Sequence, residues 1–96
     1  MKSIVGLDEK ILNLDGQVIL DESGLPLTVK KTLANLIARS QSDDAVGAMK
    51  IALDIYNAKD KIELEDADAA LVKEIVSSDK LLNNLAKATL LKSLEY

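Results

Sequence analysis

The spacing of the apolar residues changes at Thr28, and that change divides the 96-residue chain into two unlike parts. Before Thr28, short aliphatic runs are broken by turn residues. After it, apolar residues recur at intervals of three and four. A period near 2 suits a strand and a period near 3.6 suits a helix, so each part admits one kind of element. The reading is a mainly α chain, a four-helix domain with a small N-terminal β-hairpin.

Ile11-Leu12-Asn13-Leu14 and Gln17-Val18-Ile19-Leu20 flank an Asp15-Gly16 pair. That pattern predicts a hairpin closed by a type I′ turn, whose twist matches the strands. Asp21-Glu22-Ser23-Gly24 predicts a second turn, and Pro26 keeps Leu25 extended. The β-hairpin and extended segment together span about residues 10–28, and helices fill about 29–94.

Thr28 is the expected N-cap of the first helix, with Val29, Leu33, Leu36 and Ile37 on one stripe. Ser40-Gln41-Ser42 ends that helix, and Ser42 is expected to cap a second over about 43–58. The second helix carries Val46, Met49, Ala52, Leu53, Ile55 and Tyr56 as its apolar side. Its polar strip is narrow, essentially Gly47, Lys50, Asp54 and Asn57, so it is expected at the centre of the domain. Lys61-Ile62-Glu63-Leu64 alternates and is expected to add a short strand to the hairpin. A third helix over about 66–77 buries Leu71, Val72, Ile75 and Val76, and Asp79 is expected to cap a fourth running to about Leu94. The chain reads as one domain, 1–96, without repeats, low-complexity tracts or linkers.

A chain of this length can bury roughly two-thirds of its unfolded surface, enough for a core without a staple. Composition then removes most chemistry. There is no cysteine and no histidine, which excludes thiol nucleophiles, disulfide frameworks and the commonest general base and metal ligand. Twelve Lys and Arg against sixteen Asp and Glu give a net charge of −4, and Tyr56 and Tyr96 are the only aromatics. A nucleic-acid binder needs a basic stripe and stacking platforms, so nucleic acid is not the expected partner. No apolar run approaches the ~20 residues that span a bilayer, and Met1-Lys2-Ser3 leads into no signal-peptide core. No membrane association is expected, and the compartment reads as cytoplasmic.

Two clusters invite chemistry and yield to simpler readings. Asn13, Asp15, Gly16, Val18 and Glu22 match positions of a calcium loop, but its first ligand would be Ile11, which offers no oxygen. Glu63, Glu65, Asp66 and Asp68 stand where a helix begins, and negative charge is stabilised there by unpaired N–H groups. Lys30, Lys31 and Arg39 make at most a small basic patch. No catalytic residue, metal site or cofactor is expected, so the chain is read as a non-enzyme.

The fourth helix supplies the candidate interaction surface. Leu81, Leu82, Leu85 and Ala88 lie on one side, while Leu90, Leu91 and Leu94 fall largely on others. One face docks on the core and the remainder needs a second surface. Leu82, Leu90, Leu91 and Leu94 are therefore the expected protein-interaction residues.

Taken in order, several segments carry a resemblance. They are Leu14-Asp15-Gly16-Gln17-Val18, Asp21-Glu22-Ser23-Gly24-Leu25-Pro26-Leu27-Thr28 and a helix with Leu33 and Leu36. Ala48-Met49-Lys50-Ile51-Ala52-Leu53-Asp54-Ile55-Tyr56 and Ile62-Glu63-Leu64-Glu65-Asp66-Ala67-Asp68-Ala69-Ala70-Leu71-Val72-Lys73 follow, before an apolar last helix. The pattern resembles the small proteins encoded among the tail genes of long-tailed bacteriophages and prophages, tail assembly chaperones among them. It covers the chain from about residue 10 to 95 and rests on the order and spacing of turns and apolar residues.

The resemblance implies a protein that self-associates and coats the hydrophobic tape-measure protein until the tail tube polymerises. Such a protein acts in the cytoplasm of the bacterial host and is absent from the mature virion. A frameshifted longer form recruits tail-tube protein in many phages, and this chain would be the shorter product. One departure is the Lys and Asn between the leucines of the last helix. The alternative of a different class is a small acidic phage-derived inhibitor or adaptor that blocks a basic site, for which −4 is a mild charge.

Overall fold

The structure, a computed structural model, describes residues 2–40, 44–80 and 84–94. Among them the order is β1 (Lys2–Ile4), α1 (Val29–Arg39), α2 (Ala45–Asn57), β2 (Ile62–Leu64), α3 (Asp66–Ser78) and α4 (Asn84–Ser93). The fold is mainly α, with four helices and a small antiparallel sheet.

α1 forms where its stripe and cap place it. Val29, Leu33, Leu36 and Ile37 are all buried, and the Thr28 hydroxyl accepts from the Lys31 amide at 3.2 Å. The other two early amides point back to the N-terminal loop: Val29 N–H donates to the Glu9 carbonyl and Lys30 N–H to the Leu7 carbonyl. All three first-turn donors thus have partners, which answers the usual deficit at a helix start. Leu7 is fully buried beneath this junction.

β2 does not join the 11–20 hairpin, as its alternation suggested. It pairs antiparallel with β1, Ser3 opposite Glu63, from the far end of the sequence. On its other side β1 meets the end of α4, through an Ile4–Leu94 bridge and a bond from Val5 N–H to the Ser93 carbonyl. Two remote segments therefore converge on Ile4, which is fully buried.

The hairpin itself is abbreviated to one bridge, Leu12 to Val18. Its turn is not type I′, which needs positive φ at both central residues. Among the described residues only glycines have positive φ, Gly16 at 81° and Gly24 at 82° among them. Asn13 explains the difference: its side-chain oxygen accepts from the amides of Asp15 and Gln17 at 2.9 and 3.0 Å. That bonding favours an ordinary turn followed by a left-handed glycine. Asp21 repeats it, accepting from Ser23 and Leu25 at 2.8 and 3.0 Å ahead of Gly24.

The two turns belong to an eight-residue repeat that the sequence reading missed. Ile11, Ile19 and Leu27 occupy equivalent places and close a ring of three backbone bonds. Ile11 N–H donates to Leu27 O, Ile19 N–H to Ile11 O, and Leu27 N–H to Ile19 O. The repeat escaped notice because only its turn residues and three inward aliphatics are alike. Ile11 is buried in the core, and Ile19 and Leu27 pack against it.

One predicted cap differs. Asp44 caps α2, accepting from Gly47 N–H at 2.9 Å, while Ser42 lies outside the described residues. Asp79 is the C-cap residue of α3, its amide bonding to the Ile75 carbonyl; its expected capping of a fourth helix falls on residues 81–83, outside the described residues.

Candidate functional site

α2 was expected at the centre and is not there. It packs chiefly on α1 through Ala48, Ile51, Ala52 and Ile55, all nearly inaccessible. Four other apolar residues face solvent: Val46 is 83% exposed, Leu53 55%, Tyr56 52% and Met49 43%. Small residues at Ala48 and Ala52 let α1 approach closely, and Ala34 on α1 is buried too. Close approach on that side fixes the rotation of α2 and turns the bulky side chains outward.

Val46, Met49, Leu53 and Tyr56 recur at intervals of three, four and three, one continuous stripe along the helix. With Ala45, Lys50 and Asp54, most of that stripe lines a shallow depression with room for about 530 Å³. Lys50 and Asp54 form its polar rim, and neither takes part in an ion pair among the described residues. The stripe was visible in the sequence as the width of the apolar arc. What was misjudged is how much of that arc one domain this small can cover.

A second apolar surface lies on the turn repeat. Leu12, Leu14, Val18, Leu20 and Leu25 are exposed, Leu14 almost completely at 94%. Alternation accounts for it: Ile11 and Ile19 point to the core, so Leu12 and Leu20 point away. Leu14 sits at the tip of the first turn, where Asn13, Leu14 and Asp15 line an open depression with Asn84 and Leu85 of α4.

The expected interaction surface on α4 is corrected. Leu90 is fully buried and Leu94 is 6% exposed, so both are core. Leu91 is half-buried and packs against that core, and Leu82 lies outside the described residues. The end of α4 is held between the helices on one side and β1 on the other. A single stripe was therefore the wrong measure of what the fold buries there.

The charged residues singled out earlier resolve into pairs and caps. Lys30 meets Asp8 at 3.3 Å, Lys31 meets Asp21 at 3.0 Å and Arg39 meets Asp79 at 3.4 Å, so the three cations do not gather into a patch. The Lys31 ammonium, then the Leu25 amide, hold the Asp21 carboxyl below the ordinary carboxylate range. Asp66 and Asp68 stand in the first turn of α3, and Glu65 is its N-cap residue without a side-chain cap bond. Among the described residues no three acidic groups converge as a metal site would require. None of the helices described is long and apolar enough to cross a membrane.

Comparison with family models, with curated proteins and with solved structures returned no match.

Proposed function

We propose that this protein is a non-enzymatic assembly chaperone that self-associates and shields an apolar segment of a partner protein. One observation carries the reading. Nine large apolar side chains are exposed among the described residues, and they gather on two elements, the turn repeat and α2. Monomeric proteins tend to avoid extended apolar patches, which otherwise mark interaction sites. An assembly chaperone needs two such surfaces, one for its own copies and one for its client.

The sequence resemblance to phage tail-gene products gives the client a class: the long, hydrophobic tape-measure protein, held in the bacterial cytoplasm until tail-tube protein arrives. Burial of apolar area supplies about 25 cal/mol per Å², without any reactive group. The test is co-expression with a tape-measure segment. The protein should keep that segment soluble and co-elute with it. Replacing Leu14, Leu20 and Leu25 together by Ser should abolish this while circular dichroism stays unchanged. A segment equally soluble with and without the protein overturns the proposal.

A further inference from the structure

The turn repeat differs from the rest of the molecule in charge. Residues 8–28 hold five of the sixteen acids and one of the twelve bases, and the remainder of the chain holds eleven of each. The whole net charge of −4 therefore belongs to this segment, which also carries five of the nine large apolar residues exposed among the described residues. We infer that the turn repeat docks a cationic apolar segment of another protein, whose aliphatic side chains cover the outer face while its lysines or arginines meet Asp15 and Glu22. The inference rests on the chaperone reading above, which gives this element to the client, and adds the client's chemistry.

The ring of three backbone bonds sets the outer face. Ile11, Ile19 and Leu27 turn toward the core, so the residues on either side of each turn away from it. Those six meet in three bridged pairs, Leu12 with Val18, Leu20 with Pro26 and Lys10 with Thr28. Bridged residues share a face, so two of the three pairs present apolar surface outward. Leu14 and Leu25, both exposed, extend it onto the turns. Of the five acids, Asp8 and Asp21 are engaged by Lys30 and Lys31 of α1, and Glu9 shares a depression with Lys10 and Lys92. Asp15 and Glu22 remain, exposed in the two turns and without an ion-pair partner among the described residues. Asp15 and Leu14 line one depression, so carboxylate and apolar surface are within reach of a single segment. That charge selects the occupant. A twofold contact through this face would bring two acidic segments together, and like charges so placed oppose association. Nucleic acid and anionic bilayers are repelled for the same reason. A cationic apolar segment gains on both counts.

Two synthetic amphipathic peptides serve as probes, one of leucine and lysine and one of leucine and glutamate in the same spacing. By fluorescence anisotropy the lysine peptide should bind the wild-type protein at least about tenfold more tightly than the glutamate peptide. Asp15→Lys combined with Glu22→Lys should weaken the lysine peptide about tenfold and strengthen the glutamate peptide, a reversal that loss of folding does not produce. Leu14→Ser combined with Leu20→Ser should weaken the lysine peptide as well, since charge alone does not hold it. Asp54→Lys on the rim of the α2 stripe and Glu63→Lys on β2 are controls, both exposed, and should leave its binding within about twofold. Equal binding of the two peptides, or a loss on Asp54→Lys as large as that of the double reversal, overturns the inference. A tape-measure segment kept soluble alike by the wild type and by the double reversal overturns the charge requirement and leaves the chaperone reading standing. Lysine-peptide binding with this reversal, in a protein that ignores the tape-measure segment, supports the inference and removes the chaperone reading.

Discussion

α1 and α2 pack against each other, are nearly equal in length, and treat their apolar residues in opposite ways. α1 buries its largest apolar residues, Leu33, Leu36 and Ile37, and exposes polar ones. α2 buries two alanines and two isoleucines and exposes a valine, a methionine, a leucine and a tyrosine. The apolar stripe of α1 is no wider than the core it meets. That of α2 is wider, so a single neighbour covers part of it and the rest stays in water. An amphipathic helix reports which way it faces, whereas a helix apolar around most of its circumference reports only that it wants more than one neighbour.

The largest effect expected belongs to a helix that behaves like α1. Replacing Leu91 and Leu94 together by Ser should unfold the domain or cost at least about 4 kcal/mol, since Leu94 is buried against β1. Urea titration measures it, and a stable double variant would move α4 to the side of α2.

Next comes the direct contrast. Leu33→Ala should lose about 2–5 kcal/mol, the usual result of opening a cavity in a packed interior. Leu53→Ala should stay within about 0.5 kcal/mol, as surface substitutions do. Equal losses in denaturant midpoints would break the comparison outright.

The caps should sharpen it, because they act on helix ends whatever the packing. Thr28→Ala and Asp44→Ala should each cost about 1 kcal/mol by thermal unfolding. A loss confined to α1 would mean that α2 frays at its start.

The smallest effect concerns the Asp21–Lys31 pair, which ties the second turn to α1 and has no counterpart on α2 among the described residues. The Asp21 pKa is lowered in the folded chain, so the unfolded chain takes up the proton more readily. The resulting stability is complete above the ordinary aspartate value, about 3.9, and fades as pH falls through it toward the lower native value. Melting curves should drift downward below about pH 4, and Asp21→Asn should flatten that drift. An unchanged drift would show the pair to be a surface contact without consequence.

The sequence by itself determined the parts governed by neighbours along the chain. Thr28 and the stripe Val29, Leu33, Leu36 and Ile37 specified α1, because capping and helical spacing need only residues within a few positions. Gly16 and Gly24 specified turns, because positive φ is open to glycine at little steric cost. Asn13 was equally local, yet its carboxamide selected a different turn from the one that Asp15-Gly16 suggested. Tertiary structure decided what depends on segments far apart. β2 found β1 across some sixty residues, and Leu90 and Leu94 became core because β1 closes over the end of α4. Which part of α2 stays in water was decided by the close approach of α1 to Ala48 and Ala52. No window of sequence holds that information, since burial is a property of how many neighbours arrive and from which side.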